Sequence, residues 1–296
     1  MARNLIIGAA TGYNYNQLKP WVESINETCD DDVDRILIVG NISQETRQKL
    51  VEQDFQLIEM PDLGNVPIHV GRFVAIYNYL KDTYQEYKYV VTTDVKDVYF
   101  QRNPFEWLEG YLHEDSGKKL VAGSESMLYK DEPWGNENLL QTYGPYIHNL
   151  FKNNEIYNVG TIGGFAEYVK DLVFNIFTNA INRPIPIVDQ AVYNVLLNTQ
   201  PYLDVTYFAS QSDAWACQAG TTADPSKIEQ FRPHLTESEP LFIDGIIVTG
   251  ENSYMHSAGT PFVIVHQYDR VPEWKEHVRK LYNQQDETEL FTYRTA

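Results

Sequence analysis

The first hundred residues alternate between short apolar runs and segments whose apolar positions recur three and four residues apart. The β-branched runs predict strands over residues 5–10, 35–39, 55–60 and 89–93. The segments at helical spacing predict helices over residues 17–28 and 70–81, and a helix that Ser43 caps and that runs through Val51. This alternation predicts an α/β fold with a mainly parallel central sheet and helices on both faces.

The pattern is less regular after residue 97. Further strands are predicted over residues 120–124, 160–164 and 262–265, and further helices over residues 169–180 and 189–197. Residues 209–260 are rich in turn formers, and the chain after Asn283 is polar. Because no repeat or low-complexity linker divides the chain, we expect one continuous domain over residues 1–283, with a polar tail over residues 284–296.

Charge and apolar length narrow the possible partners. The net charge of −18 argues against nucleic acid and anionic membrane surfaces. No run approaches the ~20 apolar residues of a membrane span, and the apolar part of the N-terminus is too short for a signal peptide. Cys29 and Cys217 are far apart and fit no metal spacing, so we interpret them as free or buried thiols. A soluble cytoplasmic protein is therefore predicted.

Two carboxylates follow the predicted strand over residues 89–93. Asp94 and Asp97 come where the strand should leave the sheet, at the carboxyl edge where open α/β sheets bind ligands. Two hard oxygen donors suit Mg²⁺ or Mn²⁺ holding a phosphate. A strand-end turn in which one Asp caps the next segment remains an equal alternative.

Two further motifs in the first half could contact an anionic ligand. The small residues Ala9, Ala10 and Thr11, with Tyr13 close behind, would let a ligand approach the backbone, or would form a simple βα turn. Their spacing matches neither a dinucleotide-binding motif nor a P-loop. Arg72 combines a guanidinium with the amides of a helix start, which favours anions, but it could equally be an exposed helix-start residue.

The second half offers polar residues at strand ends and at one helix start. Asn158 and Gly160 suggest a close approach between the backbone and a ligand. Asp189 is either an N-cap or a site residue, and Gln190 has no evident structural need. His266 follows the late strand, where it is either a hydrogen-bonded core group or a nitrogen ligand beside the two carboxylates.

The order of these motifs resembles that of the GT-A fold glycosyltransferases, most closely the retaining type of glycogenin and the bacterial lipopolysaccharide galactosyltransferases. The resemblance spans roughly residues 5–275. It implies a nucleotide-binding half at residues 1–110 and a sugar- and acceptor-binding half at residues 111–283. It also implies Mn²⁺ or Mg²⁺ held by Asp94, Asp97 and His266. The implied donor-binding residues are Ala9, Ala10, Thr11, Tyr13, Arg72, Asp94, Asn158, Gly160 and Arg270, and the implied catalytic residues are Asp189 and Gln190.

Two features depart from that family's pattern. The acidic pair is D-x-x-D where the family has D-x-D. The Lys-Pro-Trp that follows the late His in the family is replaced by Val271-Pro272-Glu273-Trp274, which leaves Arg270 as the near cation. The stereochemistry of transfer therefore stays open.

The resemblance implies a metal-dependent glycosyltransferase that moves a sugar from a nucleotide-diphosphate donor, commonly a UDP-sugar, to a glycan or other hydroxyl acceptor. An inverting reaction would need a carboxylate base, first Asp189 and then Glu125 or Glu132. A retaining one would place Gln190 beneath the anomeric carbon. Aromatic rings that could stack on sugars are those of Trp134, Tyr157 and Trp215. The alternatives are a glycoside hydrolase and a non-catalytic protein that binds sugar nucleotides or carbohydrates.

Overall fold

The computed structural model describes residues 2–250 and 259–285. Its strands are β1 Arg3–Thr11, β2 Val33–Gly40, β3 Gln56–Glu59, β4 Tyr87–Thr93, β5 Val98–Phe100, β6 Leu120–Leu128, β7 Glu155–Tyr157, β8 Thr161–Phe165, β9 Thr206–Ala209, β10 Ala216–Gln218, β11 Leu241–Ile243, β12 Ile246–Val248 and β13 Ile264–His266. Its α-helices are α1 Tyr15–Thr28, α2 Gln44–Glu52, α3 Ile68–Thr83, α4 Pro104–Tyr111, α5 Pro133–Phe151, α6 Ala166–Ala180, α7 Asp189–Leu197, α8 Tyr202–Val205, α9 Ala219–Thr222, α10 Ile228–Phe231 and α11 Pro272–Leu281.

An eight-stranded sheet forms the centre of the fold, in the order β3-β2-β1-β4-β8-β6-β7 with β9 beside β6. The strands β1 to β4 are parallel to one another, whereas β8 runs antiparallel to both of its neighbours. Along β1, Leu5 and Ile7 pack into one apolar cluster, and Ile6 packs into another. Helices α3 and α6 cover the first face and α1 covers the second. The predicted α/β fold with a mainly parallel, two-faced sheet is thus confirmed.

A second, three-stranded sheet lies beside the first, in the order β10-β13-β5. Strand β13 is antiparallel to β5 and parallel to β10, so that His266 lies opposite both Val98 and Gln218. The late strand was predicted at residues 262–265, and it forms at Ile264–His266 instead. The loop from Asp94 to Asp97 connects the two sheets, because β4 belongs to the first and β5 to the second.

Several boundaries differ from the predictions. Strand β1 continues through Thr11, so the residues expected in a βα turn are strand residues, and the turn begins at Gly12, whose φ is +73°. Helix α5 was not predicted, because Gly144 and Pro145 interrupt its pattern and Gly144 is non-helical. Ser43 caps α2 as predicted, with its hydroxyl accepting from the Thr46 amide at 3.1 Å.

The predicted irregular segment 209–260 contains β10, the β11–β12 hairpin and two short helices, and its residues 251–258 lie outside the described residues. Of the predicted tail, residues 286–296 lie outside them as well. Among the helices in the described part of the chain, none combines the length and the apolarity needed to cross a membrane.

Candidate active site

Two carboxylates and one imidazole meet where the two sheets join. Ligand atoms of Asp94, Asp97 and His266 all lie within 4.8 Å of one another. The Nε2 atom of His266 lies 3.4 Å from Oδ2 of Asp94 and 3.8 Å from Oδ1 of Asp97. The main-chain amide of Asp94 donates to the carbonyl of Gly160 at 3.0 Å, which fixes the start of the loop. The predicted metal residues are therefore neighbours.

The hydrogen bonds around His266 determine its tautomer. Its Nδ1 lies 2.8 Å from Oε1 of Gln218, whose own Nε2 donates to the Thr161 hydroxyl at 2.9 Å. Because the Gln218 oxygen can only accept, the imidazole proton belongs on Nδ1, and Nε2 directs a lone pair at the carboxylates. Burial lowers the pKa of His266, which keeps the ring neutral. Two carboxylates and a lone pair facing one another form a donor set that suits a divalent cation.

Gly160 allows the backbone to approach this cluster closely. A Cβ at this position would lie 2.8 Å from Cε1 of His266 and 2.9 Å from Oδ2 of Asp94. Both contacts are shorter than real Cβ atoms show, so any side chain here would displace a metal-site residue. The position therefore requires glycine for space.

Arg72 joins the metal cluster to the start of α7. Its Nη1 donates to Oδ1 of Asp94, and its Nη2 donates to Oδ2 of Asp189 at 3.1 Å. The N-cap of α7 is Val188, which makes no side-chain capping bond, and Asp189 is the first helical residue. Asp189 is thus held by Arg72 and is not an N-cap. The side chain of Arg72 is only 17% exposed and lies between two carboxylates, which excludes the alternative of a simple exposed helix-start residue.

Glu125 organises the opposite wall of the site. Its Oε1 accepts from Nδ2 of Asn158 at 2.7 Å and from Nε2 of Gln190 at 2.9 Å. The Oδ1 atom of Asn158 in turn accepts from the Gly160 amide at 2.7 Å. Burial, reinforced by the negative charge of Glu132, raises the pKa of Glu125 to about 7.

These residues line a cleft of about 260 Å³. The predicted site residues in its wall are Arg72, Asp94, Asn158, Asp189, Gln190, His266 and Arg270. The remaining predicted residues are Ala9, Ala10, Thr11, Tyr13, Asp97 and Gly160, which do not form part of this wall. Ala10 is fully buried in the core. Burial raises the pKa of the Tyr13 phenol, and the nearby negative charge of Asp97 raises it further.

Sequence reasoning missed several residues of the cleft and its support. Gln218, which fixes the His266 tautomer, is fully buried at the end of a three-residue strand, too short to show a period. Lys227 also lies in the cleft wall, where it is a third cation beside Arg72 and Arg270. The other unpredicted wall residues include His69, Thr221 and Asp224. The one sequence signal for Gln218 is that it is the polar residue that ends a short apolar run.

The three aromatic residues that were predicted to stack on sugars differ in their exposure. Trp134 is 51% exposed and lines the cleft. Trp215 is fully buried, donates to the Thr161 carbonyl at 3.1 Å and packs against Trp107. Tyr157 is also buried in the core. Burial therefore excludes Tyr157 and Trp215 as sugar platforms and leaves Trp134.

Comparisons with known proteins match this chain by structure only. No protein-family model and no curated protein matches the sequence. The apo structure of WbbM, a bifunctional glycosyltransferase, matches with a TM-score of 0.58 at 13% identity, over 98% of this chain and 51% of that one. The chain thus spans about half the length of WbbM. The galactosyltransferase LgtC, solved with donor and acceptor sugar analogues, matches with a TM-score of 0.47 at 12% identity, over 93% and 95% of the two chains. The match to WbbM confirms that the predicted fold occurs in a glycosyltransferase.

Proposed function

We propose that this protein is a metal-dependent glycosyltransferase that moves a sugar from a nucleotide-diphosphate donor, a UDP-sugar, to a hydroxyl group of a glycan or other acceptor. One observation carries the proposal. In a glycosyltransferase-type fold, Asp94 and His266 of the cleft wall meet Asp97 beside it, with the imidazole lone pair directed at the two carboxylates. The cytoplasmic location remains a prediction from the sequence.

The metal ligands fit the demands of a diphosphate leaving group. Mn²⁺ or Mg²⁺ bound by these three residues would act as a Lewis acid on that group. The chain's own cations must supplement this charge, because the protein carries a net charge of −18. Arg72 is already engaged by Asp94 and Asp189, so its role is to hold those two carboxylates in place. Arg270 and Lys227, which also line the cleft, are the cations we assign to the phosphates.

Asp189 and Gln190 face the space left for the sugar. One oxygen of Asp189 accepts from Arg72, and among the described residues the other accepts no hydrogen bond, so it can accept from a sugar hydroxyl. Gln190 lines the same cleft and is held by Glu125. We assign Asp189 to orienting the donor sugar and Gln190 to contacting its reacting carbon. The acceptor would enter beside Trp134, whose exposed ring can stack on a sugar face.

Titration of the protein with UDP-sugars, with and without Mn²⁺, tests this function when it is followed by an assay for released nucleotide. Metal-dependent binding with nucleotide release on adding a glycan acceptor would support glycosyl transfer. Metal-dependent binding without release for any acceptor would instead indicate a sugar-nucleotide-binding protein. Release of free sugar from a glycan with no nucleotide present would indicate a glycoside hydrolase. Binding that is indifferent to Mn²⁺ would contradict the metal site.

A further inference from the structure

Glu125 holds two side-chain amides with a single oxygen atom. Its Oε1 accepts from Asn158 at 2.7 Å and from Gln190 at 2.9 Å, and the residue is only 5% exposed. Because Oε1 accepts from both amides, each amide turns its NH₂ group toward Glu125, whether or not the other carboxyl oxygen carries a proton. The orientation of both amides is therefore determined by Glu125.

This orientation decides which atom of Gln190 faces the substrate. The nitrogen and the oxygen of a primary amide lie on opposite branches of one carbon, so holding the nitrogen turns the oxygen away from Glu125. Within the described part of the chain, Oε1 of Gln190 accepts no hydrogen bond, and the residue lines the cleft. The carbonyl oxygen is thus the atom that Gln190 offers to a ligand.

The same carboxylate also reaches the metal side through the main chain. With its nitrogen held by Glu125, Asn158 turns its oxygen to the Gly160 amide at 2.7 Å. The Gly160 carbonyl then accepts from the Asp94 amide at 3.0 Å. The bonds that fix the metal loop are made by Asn158, Gly160 and Asp94 themselves, and Glu125 contacts them only through the Asn158 amide.

We propose that Glu125 is a positioning residue that turns the carbonyl oxygen of Gln190 toward the reacting sugar, an inference that rests on the proposed transfer reaction. Positive charge develops at the anomeric carbon as the leaving group departs. A carbonyl dipole directed at that carbon stabilises the charge, whereas a flipped amide would present its N–H groups and oppose it. In this role Glu125 exchanges no proton with either substrate, unlike a general base.

Two substitutions separate positioning from base catalysis. Glu125→Gln keeps a carbonyl oxygen that can accept both hydrogen bonds, so kcat should stay within about threefold of the wild type. Glu125→Met has similar length but no acceptor, and kcat should fall by about 100-fold with little change in donor KM. Equal losses in the two variants would show that the carboxylate's charge or proton is needed and would overturn the proposal.

A double substitution tests whether Glu125 acts through Gln190. In a Gln190→Met background, adding Glu125→Met should lower kcat by less than about twofold, because the amide to be oriented is gone. Independent, multiplicative losses would overturn the proposal. Glu155→Met is the matched control, since Oε1 of Glu155 also accepts two hydrogen bonds, from Ser124 and Thr236 at 2.7 Å each, but lies outside the cleft wall. It should leave kcat unchanged.

A spectroscopic measurement gives an answer even without turnover. The side-chain amide signals of Gln190, assigned by their loss in Gln190→Met, should exchange slowly with solvent in the wild type and in Glu125→Gln. In a Glu125→Met protein that still melts cooperatively they should exchange faster. Equal exchange in both variants overturns positioning. A wild type that releases no nucleotide from any sugar donor refutes the transfer function instead, so the two failures can be told apart.

Discussion

The two sides of the cleft differ in how far their polar groups satisfy one another. On the sugar side, Glu125 accepts from both Asn158 and Gln190, and donors meet acceptors. On the metal side, the Nε2 lone pair of His266 faces carboxylate oxygens at 3.4 and 3.8 Å, and acceptor meets acceptor. The sugar side is thus preorganised by the chain itself, whereas the metal side would need a cation to complete it. Changes on the metal side should therefore affect donor binding, and changes on the sugar side should affect turnover.

The largest effect on donor binding should come from Asp97→Ala, which removes one of the three proposed metal ligands. Its effect on stability should be small, because no Lys or Arg in the described residues forms a salt bridge with this carboxylate. We expect loss of Mn²⁺-dependent binding of the nucleotide-sugar donor, with the free energy of unfolding changed by only about 0.5 kcal/mol. Calorimetric titration with and without Mn²⁺ measures the first quantity, and urea unfolding measures the second. Asp32→Ala is the matched control, because Asp32 is an exposed carboxylate just before β2, at the amino end of the parallel strands and opposite the end that carries Asp94. Unchanged metal-dependent affinity in Asp97→Ala would remove this residue from the site.

A pH titration of stability should isolate the sugar side. Burial raises the pKa of Glu125 from 4.5 to about 7, so the folded protein retains a proton that the unfolded chain loses first. Stability from this group is therefore present below about pH 4.5 and falls as pH rises to 7, by about 3 kcal/mol in total. Urea unfolding in EDTA between pH 4.5 and 8 measures the fall, which should be absent from Glu125→Gln. Parallel curves for the two proteins would contradict the raised pKa.

Asp189→Asn tests the link between the two sides, because Arg72 bridges Asp189 and Asp94. Asn is tolerated at helix starts about as well as Asp, so a purely structural role at the start of α7 would leave the enzyme nearly unchanged. We expect instead a fall in kcat of about 100-fold, since the charge partner of Arg72 and the acceptor for the sugar are weakened. Steady-state transfer with the true donor and acceptor measures it. Transfer at the wild-type rate would return Asp189 to a structural role.

The smallest effect should appear at the acceptor entrance. Trp134→Ala removes an aromatic face that is 51% exposed, so we expect acceptor KM to rise about fivefold with donor KM and the melting temperature unchanged. Tyr146→Ala is the matched control, because Tyr146 is 74% exposed on the same helix but outside the cleft wall. A larger change in donor KM than in acceptor KM would place the ring on the donor side instead.

The first half of the fold was predictable because its elements are long and locally consistent. Strands β1, β2 and β4 contain seven to nine residues each, and their apolar runs end near the residues that form the site. The order of the polar motifs predicted Arg72 and Asp94 as site residues, and both lie in the cleft wall. Composition alone could not show that these side chains meet.

The second half was less predictable because its elements depend on pairing between distant segments. Strands β10 and β13, and the earlier strand β5 with which β13 pairs, have three residues each, too few to show a period. Glu125 was predicted only as a candidate base, and its contacts with two amides were not, since β6 shifts register between Ser124 and Leu128 and Ser126 has a φ of +52°. That irregularity breaks the strict alternation by which an inward-facing carboxylate could be recognised.

The junction between the two sheets has a consequence for folding. Asp94 leaves the large sheet, and His266 ends a strand of the small one, so a shared cation would cross-link segments that are distant along the chain. Binding that occurs in the folded state alone raises the free energy of unfolding, by about 2.7 kcal/mol when the ligand is at 100 times its Kd. A divalent ion would then stabilise the folded protein as well as bind the donor. Melting curves recorded across a series of metal ions would rank their affinities without any sugar donor, before the acceptor is identified.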